Sequence, residues 1–309
     1  MSSSLTKVKE ASLFVAARPA TWGDSIRALV VLFKLRIVFL LLVAATAGAF
    51  LGAGGWPGLG PVLLVLVTGG LAASGASALN EYIERDADRR MLRTRKRPLI
   101  NGQIPRAGWV PYVATAMVLG PSLAVLPGNP ALAFFLTAGA VIYVAVYTLW
   151  LKPRTALNIV IGGAAGSCAV LSGGAAAGAW SDPGVLILAV LLFFWTPIHF
   201  WALALVYKDD YARAGVPMLP VVTAPRRAAF WGLVHGVVAG GAGLSLAALP
   251  TLGWAYLVPV AAVTGLLLVK GVELVREPSV RKAWHLFHTS NLYLAVVLLA
   301  ACVGAVIRV

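Results

Sequence analysis

The fold class this sequence predicts is all-α: a polytopic membrane bundle of about nine transmembrane helices around a central cavity opening to the cytoplasmic side. Three observations predict it. Hydrophobic residues make up 60% of the 309-residue chain and charged residues only 12%, which excludes a disordered chain and argues against a soluble domain. Apolar runs of about 17 to 22 residues recur throughout, the length that crosses about 30 Å of hydrocarbon as helix. Basic residues gather in alternate connections between those runs.

The predicted spans are 37–53, 61–79, 109–126, 131–151, 156–177, 185–206, 228–249, 254–269 and 290–307. The first and eighth are short for a crossing. Residues 1–36 read as a cytoplasmic N-terminal segment and 37–309 as one transmembrane domain. Within that segment, Ser25 to Arg36 (SIRALVVLFKLR) predicts a basic amphipathic helix lying on the inner surface. No apolar core followed by a cleavage site is seen there, so no cleaved signal is expected.

The formal charge is +14. If the first span runs outward, all but one of the 25 Lys and Arg residues fall on one side, and Arg308 alone lies opposite. This is the positive-inside pattern. It accounts for the net charge by topology and anionic lipid rather than nucleic acid, and it sets the N-terminus inside and the C-terminus outside the plasma membrane.

The outer connections are short and rich in Gly and Pro (Gly54-Gly55-Trp56-Pro57, Pro127-Gly128-Asn129-Pro130, Asp182-Pro183-Gly184). Such residues end helices and turn the chain tightly. Small-residue stretches at 162–166 and 173–177 allow close helix packing in lipid. Cys168 and Cys302 fall inside apolar runs, without metal-ligand spacing.

The long inner connections after spans two and six are different. They carry Glu81, Glu84, Asp86, Asp88, Asp209 and Asp210, six of the 11 acidic residues. Carboxylates at a bilayer edge are costly and usually functional. The two spans run in the same direction and each ends in acids followed by basic residues, a weak internal repeat that would set a site between two halves of a bundle.

If the second helix continues to residue 92, Asn80, Glu84 and Asp88 share one face at i, i+4 and i+8. Like charges at i and i+4 repel; a bound Mg2+ reverses that sign and commonly bridges carboxylates to phosphates. Asp86 can pair with Arg90, and Glu81 is expected to point elsewhere. Asp209 and Asp210 could hold a second Mg2+, with Tyr207 and Tyr211 beside them. Arg89, Arg93, Arg97, Lys152 and Lys208 are candidate diphosphate ligands, as are Tyr207 and Tyr211. The apolar bundle suggests a hydrocarbon tail on that diphosphate, so a prenyl diphosphate. Phe194, Trp195, Phe200 and Trp201 could face an allylic cation.

These residues resemble the intramembrane prenyltransferase superfamily, whose first motif has the form Asn-x-x-x-Asp-x-x-x-Asp. Here it is Asn80, Glu84 and Asp88, a departure of one methylene at Glu84. Within that superfamily the chain is most similar to the protoheme IX farnesyltransferases, or heme O synthases. The similarity is carried by residues 80–102 (NEYIERDADRRMLRTRKRPLING), 151–163 (LKPRTALNIVIGG) and 195–222 (WTPIHFWALALVYKDDYARAGVPMLPVV). Lys34-Leu35-Arg36 is a weaker match, where the family usually has Pro between the basic residues.

The resemblance implies Mg2+-assisted ionisation of farnesyl diphosphate, attack by a vinyl group of heme B on farnesyl C1, and water addition to give heme O. It implies heme A synthase or terminal oxidase assembly as possible partners. His199 and His235 sit at comparable depth in spans six and seven; they could face one another and touch the heme. His285 and His288 fall at the inner mouth. Two other readings are prenyl transfer to a quinone precursor or other aromatic acceptor, and a secondary transporter. The latter fits less well, because its ion site would lie near the bilayer midplane.

Overall fold

The computed structural model of the chain describes residues 22–307. Residues 1–21 of the predicted N-terminal segment, and Arg308, lie outside the described residues. Among the described residues the elements are helical: α1 (Trp22–Leu32), α2 (Leu35–Ala53), α3 (Leu59–Arg90), α4 (Val110–Val125), α5 (Pro130–Val141), α6 (Asn158–Gly162), α7 (Ala164–Ala176), α8 (Pro183–Val206), α9 (Lys208–Arg213), α10 (Leu219–Val222), α11 (Pro225–Ser245), α12 (Gly253–Arg276) and α13 (Val280–Ile307). Nine helical stretches in this region are long and apolar enough to cross a membrane, as predicted, and the protein is a multi-pass membrane protein.

Several boundaries move. The second span extends to Arg90 as one 32-residue helix and stops there, because Met91 takes up extended backbone. The eighth runs on to Arg276 and the ninth begins at Val280, ten residues before the predicted start. Hydropathy misses these ends because the polar turns project beyond the apolar part. The predicted helix over 25–36 is interrupted. Lys34 sits in the left-handed region at φ 49°, which breaks the chain between α1 and α2 and turns its side chain toward the bundle.

The Gly and Pro punctuation works as expected. Asn129 Oδ1 accepts the Leu132 amide at 2.9 Å at the start of α5, and Asp182 Oδ1 accepts the Gly184 amide at 2.8 Å at the start of α8. Each satisfies a donor that a helix start leaves open. The small-residue stretches bring backbones together. A Cβ at Gly173 would lie 1.7 Å from the carbonyl oxygen of Ala45, and one at Gly48 2.2 Å from that of Val170. Side chains are excluded there, so α2 and α7 pack main chain to main chain.

The fourth span changes its winding halfway. Residues Ile142–Leu151 continue α5 as π-helix. Thr148 Oγ1 bonds the Tyr143 carbonyl at 2.8 Å, and the Lys152 amide bonds the Tyr147 carbonyl at 2.8 Å. Wide turns of this kind occur frequently at functional sites. Here it aligns Tyr143, Tyr147, Thr148 and Lys152 toward α3.

Candidate active site

Asn80 and Asp88 of the motif on α3 are buried and Glu84 is nearly so. Each has one basic partner from a different part of the chain. Asn80 Oδ1 accepts from Lys34 Nζ at 2.5 Å, while Asn80 Nδ2 donates to Thr148 Oγ1 at 2.9 Å. Glu84 pairs with Lys152, at the end of the π-helical turn. Asp88 pairs with Arg97, from the irregular segment after α3. The fold thus gathers Lys34, Arg97 and Lys152 around three residues that the sequence sets on one helical face.

The electrostatics follow from this crowding. Burial, reinforced by the positive charge of Arg97, lowers the Lys34 ammonium to about 8. Burial acts the same way on Arg97 and Lys152, but the carboxylates beside them outweigh it and hold both above their usual values. Those carboxylates are Asp88, Glu81 and Glu84 for Arg97, and Glu84 for Lys152.

Glu81 corrects one expectation. It does not point elsewhere: it is 1% exposed and Arg97 Nε lies 4.0 Å from its Oε2. Seven residues advance an α-helix by almost two full turns, so Glu81 and Asp88 differ by only about 20° around α3. Both Glu81 oxygens are buried without a hydrogen-bond partner. Asp86 does face outward, but its ion partner at 2.8 Å is Arg89 rather than Arg90, since a partner three residues on lies equally near on a helix surface.

The second acidic cluster splits in two. Asp210 is buried and accepts the backbone N–H groups of Leu92 at 3.2 Å and Arg93 at 3.1 Å, with Arg213 as its ion partner. Burial pushes its carboxyl up, but these donors outweigh that and hold it below the ordinary carboxylate range. Asp209 is exposed and lines an open cavity of about 470 Å3 with Leu92, Arg93, Val206, Tyr207, Asp210 and Arg213. The Arg93 guanidinium lies over the Tyr207 ring at 5.2 Å. Tyr211 is buried beside Met91, Tyr147 and Trp201. Lys208 is half-buried at the start of α9, and Arg89 is exposed at the end of α3.

The candidate aromatics also divide. Trp201 and Phe200 pack with Tyr147 and Tyr211 next to the polar cluster. Trp195 instead donates from Nε1 to the Ser290 carbonyl at 2.8 Å, and Phe194 lies against His235. His199 and His235 do not face one another. His199 stacks between Trp195 and Phe287, with Nδ1 2.9 Å from Ser290 Oγ. His235 packs on Phe194 and Trp201, and its Nδ1 bonds its own helix at the Trp231 carbonyl. Residues 194 and 195, one step apart on α8, turn about 100° away from each other, which sends the two histidines to different sides. His285 and His288 are exposed near the same end of α13, as expected.

The structure brings Lys34, Tyr143, Tyr147 and Thr148 to the stripe, beyond the residues the sequence predicts. Asn158 is fully buried, with Oδ1 unpartnered. The π-helical turn and the left-handed Lys34 that bring those four in leave no periodic signature in the sequence.

Hard oxygen donors suit Mg2+, and Asn80, Glu84, Asp88 and the unpartnered oxygens of Glu81 are of that kind. The donor chemistry fits such an ion. Among the described residues, however, no three Asp, Glu, His or Cys side chains converge as a finished cage, because Lys152 and Arg97 already hold the carboxylates.

The UbiA prenyltransferase family matches residues 41–305. A protoheme IX farnesyltransferase of Metallosphaera sedula is 40% identical over 288 residues, covering 87% of this chain and 92% of that protein. One of Thermus thermophilus is 40% identical over 284 residues, 92% of this chain; the chain spans about half, 46%, of the length of that relative. Among solved structures, a digeranylgeranylglyceryl phosphate synthase superposes with a TM-score of 0.76 at 18% identity, over 92% of this chain and 99% of that one. A UbiA homolog from Archaeoglobus fulgidus bound to GPP and Mg2+ gives 0.56 at 16%, over 89% and 99%. With an α-helical bundle of the same fold and a family match over most of its length, this chain belongs to the UbiA prenyltransferase family.

Proposed function

We propose that this enzyme transfers the farnesyl group of farnesyl diphosphate to a vinyl group of heme B, with addition of water, to give heme O. The observation that carries the reading is 40% identity to a protoheme IX farnesyltransferase along almost the whole of both chains. The polar cluster supports it, because it joins carboxylates and cations at the end of an apolar bundle. A prenyl diphosphate needs that combination of charge and hydrocarbon.

Asn80, Glu84 and Asp88 would hold Mg2+, with Asp209, beside Arg93 in the open cavity, for a second ion. Bound there, the metal neutralises the diphosphate and makes it a better leaving group. The remaining chemistry falls to the protein. Lys34 and Lys152 turn from the motif to the phosphate oxygens, joined at the rim by Arg93. Arginine grips such oxygens with a planar fork and lysine with a point charge.

When the C1–O bond breaks, the electron pair leaves with diphosphate. The stacked Tyr143 and Tyr147 rings, 5.8 Å apart, and buried Trp201 face the electron-poor carbon and keep bulk water away. The vinyl terminal carbon then bonds to C1. The cation left on the inner vinyl carbon takes a water oxygen, and the proton is lost to solvent.

The heme end is read along α8 and α11, with His199 on one side or His235 on the other as its candidate contact. Nδ1 of each is engaged, so Nε2 is the atom available to iron or to a propionate. The mouth is read as cytoplasmic, in the plasma membrane, by the positive-inside rule. Heme A synthase or an oxidase assembly factor would receive the product.

The test is to express the chain in a host lacking its own heme O synthase and to extract its hemes. A mass gain of one farnesyl group plus one hydroxyl group supports the reading. Purified protein that prenylates a quinone precursor but not heme B would overturn it.

A further inference from the structure

We propose that Glu81 is a positioning residue that receives Arg97 when Asp88 turns to a metal ion. The inference rests on the reading of the Asn80–Glu84–Asp88 stripe as a cation site. A cation cannot take Asp88 Oδ2 while Arg97 Nη1 holds that oxygen. The guanidinium therefore has to move, and a buried positive charge that leaves its partner needs another.

Glu81 is that partner by position and by need. It lies on the same stripe of α3, and Arg97 Nε is 4.0 Å from its Oε2. Its two oxygens are buried and otherwise without hydrogen bonds, a state that native proteins rarely leave unexplained. A short swing of one side chain would close the Arg97–Glu81 pair and open Asp88. No other carboxylate on the stripe can take the role, because Glu84 pairs with Lys152 and would itself turn to the ion. Glu81 lies outside the Asn-x-x-x-Asp-x-x-x-Asp pattern, so the motif by itself does not point to it.

The swing makes the effect of Glu81 on metal affinity depend on Arg97. A direct ligand, or a plain negative charge nearby, would act regardless of Arg97. The experiment is a double-mutant cycle on the full chain in detergent. Mn2+ binding is followed by electron paramagnetic resonance with inorganic pyrophosphate present. Glu81→Gln is expected to weaken Mn2+ binding about tenfold, as loss of a supporting partner does at metal sites. In the Arg97→Gln background the same change should alter affinity by less than about twofold. Glu81→Asp, which keeps the charge, should bind more tightly than Glu81→Gln.

Equal loss in both backgrounds would overturn the proposal and leave the metal site standing, as would no loss in either. Wild-type protein that binds no Mn2+ would overturn the metal reading and this inference with it. Thermal melting of each variant separates misfolding from a binding effect: a Glu81→Gln loss that tracks a lowered melting temperature, and that Arg97→Gln does not relieve, counts against the swing.

Discussion

The carboxylate of Asp210 accepts the backbone N–H of Arg93 at 3.1 Å. A side chain just past the sixth span thereby fixes the main chain that leaves the second. Its other oxygen takes the Leu92 amide, so hydrogen bonds tie α9 to the chain just past α3. Asp210→Asn is expected to loosen this clasp, since an amide offers one acceptor where two are needed. Leaving one part-buried N–H unpaired costs at most about 1–3 kcal/mol. Faster tryptic cleavage among Arg93, Arg95 and Arg97 would show it; an unchanged rate would argue that the clasp is dispensable.

Lys152 and Glu84 are each mostly buried and hold one another. Lys152→Met should therefore lower stability by about 3–5 kcal/mol, the cost of leaving one charge of a buried pair alone. The double variant Lys152→Met/Glu84→Leu should recover much of that. Chemical denaturation in mixed micelles compares the two; equal destabilisation would mean the pair is not the reason.

Activity should depend on the stripe and on divalent metal. Glu84→Ala and Asp88→Ala are each expected to lower prenyl transfer about 100-fold, the scale seen when a charge-stabilising group is removed from an active site. EDTA should abolish transfer and added Mg2+ restore it, followed by mass analysis of the heme product. Full activity in both variants would remove the stripe from the mechanism.

Asp86, two residues before Asp88 in the chain, offers the contrast. It is exposed and paired only with exposed Arg89, and surface pairs contribute about 0–1 kcal/mol. Asp86→Ala should leave both melting temperature and turnover close to wild type.

Gly173→Ala should destabilise the bundle by at least about 1–3 kcal/mol through overpacking, because its Cβ meets the Ala45 carbonyl oxygen. Gly241 in α11 has nothing within 4 Å of such a Cβ, and Gly241→Ala should be tolerated. Thermal melts of the two side by side test whether contact, rather than glycine content, matters.

The sequence alone determined the nine spans, the shared face of Asn80, Glu84 and Asp88, and the outward turn of Asp86. Hydrophobic length and helical period are local properties, and a linear chain displays them. Charge also marked Lys152 and Arg97 as candidate diphosphate ligands. Tertiary structure decided who pairs with whom. Lys34 reaches Asn80 across 46 residues and Lys152 reaches Glu84 across 68, through a left-handed residue and a π-helical turn that leave no period to read. Glu81 was misjudged and Asp210 became a clasp for the same physical reason. The energy of a buried charge depends on what the fold brings against it, and that is settled only when distant segments pack.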